Sequence, residues 1–521
     1  MMLATLSSSI RKQATSSSAA ALTTCPCSPA VDGTAAACCP SPTSIDSVCC
    51  ALTSSSEFTK TRALPNATSS DLRMHSIAIP PSVANVDYLD ASLPYVAVFQ
   101  EQMGTTKVAR GPNSAYYTLT ESGQAGLEHA TNELHQMFMH AAQYVLDHEA
   151  DLAPLFHFPA SLWPKIRQSW ATRADDVVSA RFDFALTPTG IKTYEYNADS
   201  ASCLFECGHS QDKWAATVGL GGRSNSDTLF TQLVAAWTSK KVVGDLHLLC
   251  DDDLEERYHS LYMQAAAEAA GITCHLIVGI DSITFDGQDF RDANGTAIRN
   301  VWKTWSWETV LKQYKAAAPD AGPTPGTLSL KRPLSPTADA TSAPSKVKLD
   351  DGRAVSSGSH PRVQVMDILL NDSMRVFEPL WTLLPSSKAI LPVLTKLYPA
   401  HPYLLASTFD EVDVSTLFPN GYCAKPVMGR TGANVSIYND RHELISATGG
   451  AWDKDNILFQ ELALLPKYEE KYVQVNCWAI DGRYGGTILR VDESNIIGGS
   501  SGMYAMRVVP DDAANAKPIA M

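Results

Sequence analysis

The 521-residue sequence predicts an α/β (α+β) protein with mixed sheets, preceded by a disordered N-terminal leader. Three observations carry this. Two runs that alternate apolar and polar residues, ARFDFAL and IKTYEYN, flank Pro188-Thr189-Gly190 and read as a strand hairpin. The segment VVGDLHLLCDDDLEERYHSLYMQAAAEAAGITCHLIVGI reads as strand, loop, helix, strand, the repeating unit of an α/β sheet. Residues 1–75, by contrast, are rich in Ser, Thr, Ala and Pro without apolar periodicity, a composition that cannot bury enough surface to offset chain entropy.

The net charge of −14, from 55 acidic against 41 basic residues, argues against a nucleic-acid partner and suits a polycationic one. No run approaches the roughly 20 apolar residues of a membrane span, so no membrane partner is expected. Of the 12 cysteines, Cys25, Cys27, Cys38, Cys39, Cys49 and Cys50 crowd the leader as CC and CxC pairs without zinc-ribbon spacing. The other six are scattered, as in a protein of a reducing compartment, and the expected location is cytoplasmic. Residues 1–30 carry Arg11 and Lys12 with no acid before Asp32, which loosely resembles a transit peptide and would make the location organellar instead.

In chain order, GLEHATNELHQMFMHAAQYVLDH predicts an amphipathic helix, with Leu127, Ala130, Leu134, Met137 and Ala141 along one face. Its histidines, His129, His135, His140 and His148, read as surface or boundary residues. SLWPKIRQSWATRADDVV predicts a second helix leading into the hairpin. A three-residue turn pairing Thr187 with Ile191 would set Asp183 opposite Glu195 and Arg181 opposite Asn197, all on one face. Two carboxylates and an amide oxygen suit a hard cation such as Mg²⁺, and an arginine suits a phosphate held by it. A solvated polar face on a half-buried hairpin fits the same spacing.

Ser200-Ala201-Ser202 then opens the next segment, as a seat for a carboxylate or phosphate or as a plain helix cap. The acids Asp251 to Glu256 follow a strand and fit a helix first turn, where they could also attract ammonium groups. Residues 316–362, rich in Pro, Ser, Thr and Ala, read as a disordered insertion. Beyond it Lys388 begins an apolar helix, and a strand ending in Lys425 leads into the loop Gly429 to Asn434. That loop can cradle phosphate or simply join a hairpin. The last strands deliver Gln460, Glu461, Gln474 and Arg490, and the chain has neither a P-loop nor a GxGxxG fingerprint.

Six collinear blocks, RFDF…YEYNADSASC, DDDLEERYH, VWKTWSWET, FEPLWTLLPSSKAILP, AKPVMGRTGANVSI and YGGTILRVDES, resemble the synthetase domain of the glutathionylspermidine and trypanothione synthetases, from about residue 105 to 510. The resemblance implies an ATP-grasp-like domain over 85–315 and 363–510, with the insertion 316–362 inside it and a tail at 511–521. It implies a ligase using ATP and two Mg²⁺ ions to join the glycine carboxylate of glutathione to an amine of spermidine through an acyl phosphate. Asp183, Glu195 and Asn197 match metal ligands, and Arg181 matches the residue stabilising the transferring phosphoryl group. Lys388 and Lys425 match phosphate-binding lysines. Thr431, Gln460, Glu461, Leu462, Ala463, Gln474, Asn495, Ile496 and Ile497 match the rest of the nucleotide pocket.

On the substrate side, Ser200, Glu256 and Thr304 match glutathione positions with Ser202 beside them, Glu255 matches a polyamine contact, and Arg490 matches an arginine of a mobile loop. Two departures stand out. The leader occupies the place of the amidase domain that many family members carry, so no amidase activity is expected, and Gly502 stands where the family has an acid of the polyamine region. The resemblance leaves open a trypanothione synthetase, which adds a second glutathione, and a non-catalytic glutathione- or polyamine-binding relative. Cys423 and Cys477 read as core thiols, and oligomeric state is unspecified.

Overall fold

The computed structural model describes residues 64–109, 113–317, 363–412, 414–451 and 456–512. From Pro65 onward the chain forms one compact unit. The leader up to residue 63 and the insertion from 318 to 362 lie outside the described residues.

The described elements, in chain order, begin with β1 (Leu72–Ala78), β2 (Asn113–Thr120), α1 (Glu121–Asp147) and α2 (Trp163–Arg173). The hairpin β3 (Ser179–Thr187) and β4 (Gly190–Asn197) follows, then β5 (Leu246–Cys250), α3 (Leu254–Ala269), β6 (Cys274–Val278), β7 (Asn300–Lys303) and α4 (Trp307–Ala317). After the insertion come β8 (Arg375–Val376), α5 (Ile390–Leu397), β9 (Ser407–Thr408), β10 (Tyr422–Pro426), β11 (Ser436–Tyr438), β12 (Leu444–Ala447) and β13 (Ile457–Glu461). The last strands are β14 (Lys471–Ile480), β15 (Arg483–Asp492), β16 (Gly502–Tyr504) and β17 (Met506–Val509).

Two corrections follow at the expected boundaries. β1 starts inside the segment read as leader, because Leu72 is buried and pairs with Leu119 of β2. Helix α4 runs on to Ala317, two residues into the expected insertion, with Trp307, Val310 and Leu311 buried along it.

The strands form an antiparallel sheet, β16-β15-β14-β3-β4, to which Lys467–Tyr468 adds on β14. A parallel sheet has the order β8-β7-β5-β6, and a second antiparallel sheet has the order β9-β13-β10-β11-β12. A smaller mixed sheet joins β1, β2 and β17. Parallel strands need crossovers, which is why β5 and β6 are separated by α3.

Helix α1 covers the first sheet, packing on β14 and β15. The five apolar positions expected on its inner face are all buried, and Thr120 caps it by accepting from Gly123 N at 2.9 Å. His135 and His140 hydrogen-bond the hydroxyls of Tyr196 and Tyr398, at 2.8 and 2.6 Å. Asp253 caps α3 by accepting from Glu255 N and Glu256 N, so the acids there do serve a helix first turn. Cys423 and Cys477 are buried thiols. Among the described residues no helix is long and apolar enough to cross a membrane.

Candidate active site

The hairpin that organises the site turns on two residues rather than three. Thr187 pairs with Gly190 and Leu186 with Ile191 across Pro188-Thr189. Gly190 takes a φ of 137°, and a Cβ there would meet the Asn66 side chain, whose Oδ1 accepts from Ile191 N at 3.0 Å. Continued regularly, this register would set Asp183 opposite Tyr194. A β-bulge between Asp183 and Phe184 shifts it by one residue and restores Asp183 to Glu195 and Arg181 to Asn197. The expected pairs are therefore present for a different reason, and the bulge turns Tyr194 as well as Glu195 toward one cleft.

The solvated-face alternative fails, because β3 is an inner strand flanked by β4 and β14. Arg181 and Asp183 are only 5% and 3% exposed. Charges so buried need partners. Arg181 grips Asp183 with two parallel bonds, Nε to Oδ1 at 2.8 Å and Nη2 to Oδ2 at 3.2 Å, and donates from Nη1 to Ser202 O at 2.7 Å. Asn476 Nδ2, across on β14, donates to Asp183 Oδ1 at 2.7 Å.

Above this face lies an open cleft. Every residue expected in the site lines it except Glu256 and Thr304. Those two line a small adjoining pocket, with Ser200 and Ser202 at the shared border. Lys388, just before α5, places Nζ 2.9 Å from Glu195 Oε2 and 2.9 Å from Gly429 O. Lys425 donates to Gln460 Oε1 at 2.7 Å and sits 5.0 Å over the Tyr194 ring. Burial pushes the Glu195 carboxyl up, but Lys388 and Lys425 outweigh it and hold the group at about 2.

The loop Gly429 to Asn434 joins β10 and β11 as a hairpin connection, and its residues Gly429 to Ala433 line the cleft. Thr431, Gly432 and Asn434 have φ values of 53°, 69° and 57°. A Cβ on Gly432 would lie 2.8 Å from Ile497 O, so the loop packs directly on the segment Asn495 to Ile497.

Two further expectations need correction. Ser200 and Ser202 do not cap a helix: Ser200 and Cys203 take left-handed φ values of 52° and 73°, and the helix starts only at Leu204, turning π-helical over Glu206–Ser210. Arg490 is carried by strand β15, as the strand pattern had it and unlike the loop that the resemblance implied, and pairs with Gln474 and Met503. Its guanidinium reaches the loop instead, donating to Ser501 Oγ at 3.0 Å and Gly498 O at 2.5 Å.

Three groups at the site escaped the sequence reading. Arg430 donates to Glu308 Oε2 at 3.0 and 2.7 Å and to Ser200 O at 3.1 Å, stapling the loop Gly429 to Asn434 to α4 and the serine turn. Lys303 and Asp199 form a fully buried ion pair, and Asp199 Oδ2 also accepts from Trp307 N at 2.7 Å. Glu378, 1% exposed, lines the smaller pocket. The one signal available was Lys303 itself, a charge inside the otherwise uncharged run VWKTW.

The cleft of this mixed α/β fold combines buried carboxylates with lysines under a loop that holds Gly429 and Gly432, and the family of the chain follows from the proteins it resembles. Residues 98–322 and 362–509 match the family described as glutathionylspermidine synthase preATP-grasp, and the chain belongs to it. It is 36% identical over 398 residues to the bifunctional glutathionylspermidine synthetase/amidase of Escherichia coli K12, covering 76% of this chain and 59% of that one. It is 33% identical over 440 residues to the trypanothione synthetase of Crithidia fasciculata, covering 82% and 62%, and 28% identical over 464 residues to the glutathionylspermidine synthase of the same organism, covering 76% and 59%. The chain thus spans about three fifths of the length of these relatives.

Proposed function

We propose that the chain is an ATP- and Mg²⁺-dependent carbon–nitrogen ligase that joins the glycine carboxylate of glutathione to an amine of spermidine. One observation carries the reading: Arg181, Lys388, Lys425 and Arg490 converge on a cleft that also holds Asp183, Glu195 and Asn197. A carboxylate resists an amine because oxide is a poor leaving group. Attack of a carboxylate oxygen on the γ-phosphorus, with ADP leaving, makes an acyl phosphate. The amine nitrogen then attacks its carbonyl carbon, phosphate leaves, and the amine loses a proton.

Such transfer needs charge neutralisation and alignment more than covalent catalysis. Asp183, Glu195 and Asn197 supply hard oxygen donors of the kind Mg²⁺ takes. Asn197 Nδ2 is buried without a partner, a donor suited to an acceptor oxygen rather than to the cation itself. When bound, Mg²⁺ would neutralise the oxygens of the phosphate chain. Lys388 would exchange Glu195 for a phosphate oxygen, Lys425 would hold its neighbour, and Arg181, fixed by Asp183, would face the migrating phosphoryl group. The loop Gly429 to Asn434 and the segment from Gln460 to Ala463 would enclose the nucleotide, while Glu255 would steer an ammonium of the polyamine. The six buried or half-buried free thiols of the body fit a reducing location such as the cytoplasm.

The test is phosphate release from ATP with glutathione, with and without spermidine, and the mass of the product. Release that needs both substrates, with the mono-glutathionyl amide as product, is expected. Release under no combination would sink the reading, and a bis-glutathionyl product would replace it by trypanothione synthesis.

A further inference from the structure

An amine of the polyamine reaches the cleft as an ammonium, its pKa being about 10 like that of a lysine, and cannot attack a carbonyl carbon until it has given up a proton. Glu255 lines the cleft, and a second carboxylate stands near it outside the cleft lining: Glu206, 3% exposed. Tyr258 donates from its hydroxyl to Glu206 Oε1. Each partner of that bond stands three residues beyond one that lines the cleft, Tyr258 after Glu255 on α3 and Glu206 after Cys203. Glu206 Oε2 is buried with no partner, a costly state for a carboxylate oxygen. Glu206 is also the first residue of the π-helical stretch Glu206–Ser210, an irregularity that helices keep at functional sites. Serving as acceptor for Tyr258 explains one of its oxygens only, and a glutamine would serve as well.

The charged and titratable groups that face Glu206 are Tyr258 and Glu255 from α3 and Arg181 from β3, and those that face Glu255 are Asp253, Arg490 and Arg181. Cys203 lies in the field of both carboxylates, and burial pushes its thiol up to about 11, so it stays neutral. Burial pushes Glu206 up to about 7, against the Tyr258 bond and with the charge of Glu255 adding to it. Burial and then Asp253 raise Glu255. Neighbouring carboxylates of this kind take up protons as a pair. We propose that this pair receives the proton of the attacking ammonium: Glu255 is the catalytic base at the cleft, and Glu206 is the positioning residue whose charge keeps Glu255 basic. The proposal rests on the ligase reading above. A carboxylate oxygen of Glu255 takes one proton from the ammonium nitrogen and leaves a neutral amine. The nitrogen lone pair forms the bond to the acyl phosphate carbon, the bond from that carbon to the phosphate oxygen breaks with its electron pair, and the second proton lost by nitrogen departs on the phosphate. A negative Glu206 repels a negative Glu255, so it favours the transfer that neutralises Glu255.

The experiment gives the full chain ATP and glutathione with one of two amines, spermidine or hydroxylamine. Hydroxylamine is neutral at pH 7 and traps an acyl phosphate as a hydroxamate without first losing a proton. Glu206→Gln keeps the oxygen that Tyr258 bonds and removes the charge. Its kcat with spermidine should fall about tenfold, a part of the roughly 10²–10⁴ that a positioned base contributes, while hydroxamate formation should stay within about twofold of the wild type. The wild-type spermidine rate should rise as pH passes about 7, where the pair loses its proton. That rise should move to lower pH in Glu206→Gln, where Glu255 titrates alone. It should move to higher pH in Tyr258→Phe, which strips Glu206 of the bond that lowers it, and this variant carries the test if Glu206→Gln does not fold. An equal loss with both amines would make Glu206 structural and overturn the proposal, as would an unchanged spermidine rate or a rise that neither variant moves. A wild type that forms no hydroxamate and releases no phosphate would remove the ligase reading, and the proposal with it.

Discussion

Replacing Lys388 by methionine tests the electrostatic balance on which the cleft rests. The substitution keeps the apolar stem and removes the ammonium 2.9 Å from Glu195. Lys388 and Lys425 hold Glu195 well below the usual carboxylate range despite its burial, so the ionised form is favoured in the folded chain. For a carboxyl with a lowered folded-state pKa, that stability is complete above the unfolded value. It is lost as pH falls from about 4.5 toward 2.

Since Lys425 shares the work, Lys388→Met should forfeit part of it, roughly 1–2 kcal/mol at pH 7. Urea unfolding of both proteins at pH 7 and pH 3 is the assay. The gap in midpoint should be clear at pH 7 and should narrow by half or more at pH 3, where Glu195 of the wild type is itself becoming protonated on unfolding. An equal gap at both pH values would show that Lys388 stabilises through its stem, and the argument from charge would fail.

Asp183→Asn removes the charge opposite Arg181 but keeps the shape, so phosphate release should vanish while far-ultraviolet circular dichroism is unchanged. Near-normal turnover would refute the metal assignment. The stability cost should approach the roughly 3–5 kcal/mol of a broken buried pair, read as a lower melting temperature. Gly432→Ala puts a Cβ 2.8 Å from Ile497 O at a φ of 69°, a strain of about 1–3 kcal/mol. The KM for ATP should rise several-fold with that for glutathione unmoved, and the reverse pattern would dissociate the loop from the nucleotide. Burial pushes Glu256 and Glu378 up to about 7, so both gain charge as pH rises through neutrality. The affinity for glutathione should therefore change between pH 6 and pH 8, and a flat profile by calorimetry would show that neither carboxylate lies near the bound tripeptide.

Periodicity made the elements legible. The three- and four-residue spacing from Leu127 to Ala141 sufficed for α1, and alternation sufficed for β3 and β4, because each element must bury one face or two and its residues show it. The hairpin turn was misjudged by one residue. Pro188 and Gly190 fit a three-residue connection as well as a two-residue one, and the bulge that compensates leaves no mark in the alternation. TILRVD alternates as a strand should and Arg490 lies on one, whereas the resemblance alone pointed to a loop, and the cap reading of the serine turn failed because nothing local betrays two left-handed residues.

What the sequence by itself determined is the chemistry available: which side chains recur on one face, where glycine permits a close turn, and which family the collinear blocks belong to. Whether those side chains are buried was decided by tertiary structure alone. β3 becomes an inner strand only because β14 pairs with it, and Asn476, 293 residues beyond Asp183, completes the carboxylate's bonding. The same long-range packing brings Glu378 under Trp302 and Arg430 onto Glu308. Burial is a property of neighbours, and a charge changes from a solvated surface group into a held, oriented one only when distant strands and helices exclude water from it.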